Sequence, residues 1–405
     1  MSLSEAKLLD DVRQRFFSPQ VSGTPHTIGV ELELIPVAAS TRLPALPRGG
    51  GAQSTASVLS RLGAREGWIE QSVENDPPSW TLGDGAHITF EPGGQIEISS
   101  APHATATGAV RATQSLVALI SKAMAPAGIE LLARGVEPRG GIGAVPLQLL
   151  RDRYARMTRF FDAIGPSGVR MMRQTAAVQI NVERGRSPVA RWNLLNSLAP
   201  YIVALFANSR RYSGKKTEYA SYRAHLWRTL DTSRTGLPCD STDPATRYLA
   251  FALDAKAMRS SDGARPWASF RDWMRVESLT EGDWQFHLST LFPEVRPKEF
   301  FEIRSADAID ADHLAAPVVF VTGIVYDEES ASGASQLLPP PSELLLERAG
   351  RAGLADPDIH RVVARLTELA LSGARRLGEG YLASADLATA REYFARALGL
   401  TSGEG

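Results

Sequence analysis

The sequence predicts an α+β fold, with mainly antiparallel strands and helices packed on them. Three observations predict it. Residues 26–36 and 174–183 alternate apolar and polar side chains with the two-residue period of a strand. Asp84-Gly85 is a hairpin dipeptide set among short strand-like runs, which favours antiparallel pairing. Residues 147–164 instead carry Tyr154, Met157, Phe160 and Phe161 along one helical face.

Composition narrows the class. The chain has 405 residues, 43% hydrophobic and 22% charged, which is ordinary globular composition with length for a large core. The 44 basic and 45 acidic residues give a net charge of -1, so no global field points to nucleic acid or an anionic membrane as a partner. Cys239 is the only cysteine, which excludes an intrachain disulfide and a cysteine-based metal cluster, and fits a reducing, cytoplasmic location. Residues 1–20 read as a charged amphipathic helix (Leu8, Leu9, Val12, Phe16, Phe17) and not as a signal peptide. No run of ~18 apolar residues suggests a membrane span.

In chain order, the first strand places Val30, Leu32 and Leu34 on one face and Glu31 and Glu33 on the other. A Pro-, Gly- and Ser-rich loop over 37–54 precedes a helix at 55–62. Residues 68–81 read as β-structure with a turn at Asn75-Asp76-Pro77-Pro78, and His87 to Phe90 leads into Glu91-Pro92-Gly93-Gly94-Gln95-Ile96-Glu97-Ile98. Helices are expected at 103–126, 147–164 and 191–208, with a strand from Gly128. The strand over 174–183 sets Thr175, Gln179 and Asn181 on one face. Residues 210–239 are polar and irregular, a length of loop that is often functional. Helices at 243–258 and 267–274, a strand at 300–303 and an apolar helix at 314–326 follow. The run Leu337-Leu338-Pro339-Pro340-Pro341 marks a boundary between a catalytic body, 1–336, and a helical tail packed on it, 337–405.

Three stretches carry acids where a plain core strand would be neutral. Glu31 and Glu33 share a strand face, and two close carboxylates repel unless a cation sits between them. A hard divalent ion such as Mg²⁺ favours that donor type, although an isolated Glu-Leu-Glu is more often a solvated face. Glu91 and Glu97 flank Gly93-Gly94, which permits a bend or a close backbone approach. Glu302-Ile303-Arg304 sets an acid and a base on one face, either as a salt bridge or as a metal ligand beside a phosphate-holding guanidinium. Gly140-Gly141-Ile142-Gly143 lacks the Gly-Lys-Ser/Thr ending of a phosphate loop, and the seven histidines lack zinc-ligand spacing.

These stretches resemble the signatures of the plant and proteobacterial type of glutamate–cysteine ligases. The residues that carry the resemblance are Gly29-Val30-Glu31-Leu32-Glu33, the Glu91 to Ser99 run and Glu302 to Asp307. Met171-Met172 through Asn181, Leu205 to Ser209, Ser221 to Gly236 and His287 to Arg296 extend it. One departure stands out: the family's Arg directly before the Thr of the Met-Met strand is Gln174 here, with Arg173 one residue earlier. The Thr175-Ala176-Ala177-Val178-Gln179 version is similar to the ligases of ergothioneine biosynthesis.

The resemblance implies a glutamine synthetase-like catalytic fold, a curved sheet whose concave face carries the acids, with helices outside. It implies ATP- and Mg²⁺-dependent ligation of glutamate to an amine, cysteine above all, through a γ-glutamyl phosphate. It places Glu31, Glu33, Glu91, Glu97 and Glu302 on metal. Arg304 holds phosphate or the transferring group, with Glu302 beside it. Gln95, Thr175, Gln179 and Asn181 fall to the nucleotide, or form a hydrogen-bonded polar sheet face. Arg223, Trp227, Arg234 and Tyr154 fall to substrate. Another acceptor amine, or a relative that binds metal–nucleotide or glutamate without turnover, are the alternatives.

Overall fold

The computed structural model describes residues 3–20, 26–48, 54–239, 242–259 and 268–400. Alternation builds its longest strand. In β1 (Ile28–Ala38) Val30, Leu32 and Leu34 are buried, and Glu31 and Glu33 turn to the opposite face. On one side of β1 lies a meander of β2 (Ile69–Gln71), β3 (Ser79–Thr81), β4 (His87–Phe90) and β5 (Ile96–Ser99). β6 (Ile129–Leu132) pairs with the far end of β1. β7 (Ala177–Glu183) pairs with its other edge. Two short ladders stand apart: β8 (Arg211–Tyr212) with β9 (Lys215–Lys216), and β10 (Thr235–Gly236) with β11 (Phe292–Pro293). β12 (Val295–Pro297) and β13 (Phe300–Asp307) finish the main sheet. Its order is β12-β13-β7-β1-β5-β4-β3-β2, with β6 beside β1. All of its pairings are antiparallel. The three acid-bearing stretches therefore come within four neighbouring strands.

The first seven helices are α1 (Glu5–Phe16), α2 (Thr55–Glu66), α3 (Ala106–Met124), α4 (Asp152–Ile164), α5 (Pro166–Gln174), α6 (Pro188–Leu205) and α7 (Tyr222–Thr229). Then come α8 (Pro244–Asp254), α9 (Phe270–Val276), α10 (Glu281–Leu288), α11 (Ala315–Val325), α12 (Glu328–Leu337), α13 (Glu343–Ala352), α14 (Pro357–Leu377) and α15 (Ser384–Ala397). The sheet is sided. α3, α6 and α11 cover the face that carries the apolar residues of β1, β7 and β13. α14 and α15 pack over α11, which is buried along its whole length. Leu346, Val363 and Phe394 belong to the same continuous core as Leu32 and Ile180, so the segment after the proline run shares the core of the segment before it. A second apolar cluster, with Met157, Phe161, Met172, Trp227 and Phe292, gathers on α4, α5, α7 and β11.

Several expectations shift. The strand expected from residue 174 begins at Ala177, because α5 runs to Gln174 and Thr175 is its C-terminal cap. Gly165, at φ 136°, and Pro166 in the first helical turn start α5. α4 begins at Asp152 and leaves 147–151 outside regular structure. α10 and α12 occupy stretches without a clear sequence pattern. The helix expected from Trp267 starts at Phe270; Trp267 lies outside the described residues, as do Met1, Ser2 and residues 49–53 of the first long loop.

Candidate active site

The site forms where the acid-bearing face meets the second apolar cluster. Strand register puts Glu33 directly opposite Glu97, and Glu31 between Gln179 and Ser99. Asn181 stands opposite Glu302. Like charges directly across an antiparallel pair destabilise it, so the Glu33–Glu97 pair is a cost that packing alone does not explain. The Gly-Gly bend fixes Glu91 beside them. Gly94 adopts φ 90°, and the turn closes with Gly94 N–H donating to the Glu91 carbonyl at 2.8 Å. A Cβ on Gly93 would lie 1.9 Å from the Arg173 carbonyl oxygen, so only glycine lets α5 come this close. Gln95 pins the bend: its Oε1 accepts from Gly93 N–H at 3.0 Å and its Nε2 donates to the Thr175 carbonyl at 2.7 Å.

The acids are poorly matched by donors. Glu33 accepts from Ala177 N–H at 2.9 Å and Gln179 Nε2 at 3.0 Å, Glu31 from Asn181 Nδ2 at 2.8 Å, and Glu97 from Ser99 Oγ at 3.0 Å and Thr89 Oγ1 at 3.4 Å. Burial, with Glu97 next to it, pushes the Glu33 carboxyl up to about 8. Burial and the charge of Glu33 push Glu91 up to about 8 as well. Glu97 is raised well above the usual carboxylate range by burial and by Glu31 and Glu91. Glu31 is raised by burial and by Glu302, and Lys298 offsets part of this. The surface these groups retain is the wall of a cavity of about 220 Å³. Tyr154, pushed up to about 12 by burial and Glu91, lines the same cavity.

The opposite end of the cavity is cationic. Glu302 lies 2.5 Å from Lys298 Nζ, 3.3 Å from Arg296 Nη1 and 3.5 Å from Arg304 Nε. An extra residue in β13 between Ile303 and Ala306 breaks the ladder with β7, and Arg304 sits at this bulge with its side chain on the cavity wall. Arg223 reaches the cavity from the first turn of α7 and donates Nη2 to the Arg304 carbonyl at 2.7 Å. The guanidinium carbons of Arg223 and Arg304 lie 4.9 and 5.0 Å from the Trp227 ring centroid. Behind them Asp307 accepts from Ser209 Oγ and Asn208 N–H, both at 2.7 Å, and from Ser221 Oγ at 2.9 Å, and stands 3.9 Å from Arg223.

Most of the residues singled out in the sequence meet here. Gln179 and Thr175 line the cavity, the latter with its hydroxyl donating to the Met171 carbonyl at 2.7 Å. Asn181 does not line it; it touches the site through Glu31. Arg234 lies away from it, fully buried, paired with Asp231 at 3.0 Å and donating to the carbonyls of Thr290 and Lys256. Nor does the Arg173–Gln174 exchange touch the cavity: Arg173 donates to the Val145 and Ile142 carbonyls, and Gln174 bonds Gly140 and Tyr212. Sequence reasoning missed Arg153, held by Ser289, together with Arg296 and Lys298. Arg296 and Lys298 meet Glu302 across the β12–β13 hairpin, and Arg153 reaches the cavity by tertiary packing of α4.

Among the described residues no three of His, Cys, Asp or Glu are gathered closely enough to clasp one metal ion by themselves. The donor set is nevertheless all oxygen, anionic and partly unmatched. That chemistry suits a hard cation such as Mg²⁺, which binds through one or two carboxylates and takes its remaining oxygens from substrate phosphate and water.

An acid-lined antiparallel sheet face opposed by arginines has the charge arrangement of a site for a small anionic substrate. The chain belongs to glutamate–cysteine ligase family 2, which it matches over residues 27–392. It is 33% identical over 339 residues to the glutamate–cysteine ligase EgtA of Mycolicibacterium smegmatis, covering 78% of this chain and 77% of that one. It is 30% identical over 349 residues to the chloroplastic glutamate–cysteine ligase A of Oryza sativa subsp. japonica, covering 79% and 70%. The solved glutamate–cysteine ligase of Francisella tularensis in complex with AMP has the same fold, with a TM-score of 0.52 at 12% identity over 94% of this chain and 83% of that one. Among the described residues no helix is long and apolar enough to cross a membrane.

Proposed function

We propose that the protein is an ATP-dependent glutamate–cysteine ligase, acting in the cytoplasm and forming γ-glutamylcysteine through a γ-glutamyl phosphate. The observation that carries this reading is the set of facing, unmatched carboxylates, Glu33 against Glu97 with Glu31 and Glu91 beside them. Family membership supports it. Mg²⁺, held by Glu31, Glu33, Glu91 and Glu97 together with Glu302, would neutralise the triphosphate.

The chain's own residues supply binding and orientation. Arg223 is preset by Asp307 and the Arg304 carbonyl to take a substrate carboxylate, and Trp227 and Tyr154 fix its surroundings. The γ-carboxylate oxygen attacks the γ-phosphorus of ATP, the bond from that phosphorus to the β-bridging oxygen breaks, and ADP leaves. Arg304 stabilises the charge that spreads over the transferring group. The amine nitrogen of cysteine then attacks the acyl carbon. The carbon–oxygen bond to the phosphoryl group breaks, phosphate leaves with the electron pair, and the amine's surplus protons pass to phosphate and water. Gln179 and Asn181 orient Glu33 and Glu31. Gln95 and Thr175 brace the bend that carries Glu91.

The test is phosphate release from ATP with Mg²⁺ and glutamate, offering each amino acid in turn as acceptor. Release that needs both glutamate and cysteine, with γ-glutamylcysteine seen by mass, is the expected result. Release with a different amine would reassign the acceptor, and no release with any amine despite Mg–ATP binding would make the protein a binder without turnover.

A further inference from the structure

The charges in the cavity balance in number but not in place. Glu33, Glu91 and Glu97 line the β1–β5 side and Glu31 lies between them and Glu302, close enough for Lys298 and Arg296 to act on it; among the described residues none of the four has an ion pair within 4 Å. At the other end three cations converge on the single carboxylate of Glu302. Their contacts to it are only partly made: Glu302 Oε2 itself forms no hydrogen bond and stands 3.3 Å from Arg296 Nη1 and 3.5 Å from Arg304 Nε. Arg296 Nε, Arg304 Nε and Arg304 Nη1 are buried without a hydrogen-bond acceptor, although the Arg304 side chain is only 10% exposed. Buried N–H groups without an acceptor are costly, and a cluster of them on a cavity wall calls for an oxygen-rich anion. Lys298 is more open, at 39% side-chain exposure, and stands at the cavity with its ammonium on Glu302. β12 and β13 form a tight antiparallel pair, so Arg296 stands opposite Glu302, with Lys298 just beyond in the turn.

We propose that Arg296 and Lys298 form, with Arg304, the polyphosphate grip of this site, and that Glu302 holds them in place until the nucleotide arrives. This rests on the nucleotide-dependent reading above and adds to it two binding residues and a partner exchange. In the unliganded protein Glu302 neutralises the grip. When Mg–ATP enters, Glu302 turns to the cation and the three side chains turn to phosphate oxygens. The exchange makes the cation and the polyphosphate bind better together than apart, because each releases the group the other needs.

The experiment is calorimetric binding of ATP, with Mg²⁺ and separately in excess EDTA, to the wild-type chain and to Lys298→Ala, Arg296→Lys and Glu302→Gln. Circular dichroism melts confirm that each variant is folded. Lys298→Ala should weaken Mg–ATP binding by about tenfold or more, as expected for loss of one charge-assisted contact to phosphate. Glu302→Gln should bind metal-free ATP at least about threefold tighter than wild type while losing most of the gain from Mg²⁺. Lys298→Ala and Arg296→Lys both binding Mg–ATP within about twofold of wild type would overturn the grip. Glu302→Gln binding metal-free ATP no better than wild type would overturn the exchange. Failure of the wild-type chain to bind Mg–ATP would instead remove the nucleotide reading, and this proposal with it.

Discussion

Asp307, buried, and the half-buried Glu33–Glu91–Glu97 group are acids on or beside one sheet, and they are treated in opposite ways. Burial pushes all of them up. Asp307 is answered by two hydroxyls, a backbone N–H and a nearby guanidinium, and a Cβ on Gly135 would lie 2.3 Å from its carboxyl carbon, so nothing else fits there. Its partners tie the Asn208-Ser209 loop and the first turn of α7 to β13. Glu33 and Glu97 stand directly opposite on paired strands, and with Glu91 they line one cavity wall without an ion pair among the described residues. Burial alone does not mark a functional acid. The kind of partner separates them: Asp307 is held by donors that tie loops to the sheet, and the glutamates have neighbouring carboxylates, which is the arrangement the proposed cation site would use.

The contrast breaks if the two kinds of acid respond alike to mutation. Glu97→Gln keeps the shape and removes one of the repelling charges, so kcat should fall roughly 10²–10³-fold while the melting temperature stays level or rises. Steady-state kinetics beside a thermal melt reads both. Asp307→Ala should do the reverse in emphasis. It strips several donors of their acceptor and leaves Arg223 without its neighbour, costing about 3 kcal/mol in urea unfolding. Near-wild-type stability in Asp307→Ala, or collapse of the fold in Glu97→Gln, would merge the two classes.

A smaller effect sharpens the same contrast. Glu33 and Glu91, at about 8 when folded, keep protons that the unfolded chain gives up near its ordinary carboxylate value. Their stabilising contribution is complete below that ordinary value and is lost as pH rises through about 8. In EDTA, urea unfolding followed from about pH 6 to about pH 9 should show stability falling by at least about 1 kcal/mol. Glu91→Gln should flatten the slope.

Much of this was legible in the sequence. Strand alternation put Glu31 and Glu33 on one face, and the two glycines announced the bend beside Glu91, because both signals are local. The bulge that aims Arg304 was not legible, since it is set by pairing with β7 across more than a hundred residues. Arg234 looked like Arg223 in composition and setting. Only the fold shows that Asp231, three residues before it, holds it in the core. α5 and α10 were missed: Gly165-Pro166 and the Thr280–Asp283 capping box were the only local signals for them, and the faint amphipathic pattern of α10 hid it. Arg296 ended a stretch that carried the family resemblance but was given no role, and Arg153 and Lys298 were not singled out, because a helix and a hairpin bring them to the cavity.

The central claim is that the unmatched acids are a cation seat. The most direct measurement is the melting temperature in Mg²⁺ against EDTA at about pH 8.5, above the point where Glu33 and Glu91 ionise. The account predicts that Mg²⁺ raises the melting temperature of the wild-type chain by several degrees and leaves Glu97→Gln nearly unmoved. An equal rise in both proteins, or none in the wild type, would contradict it.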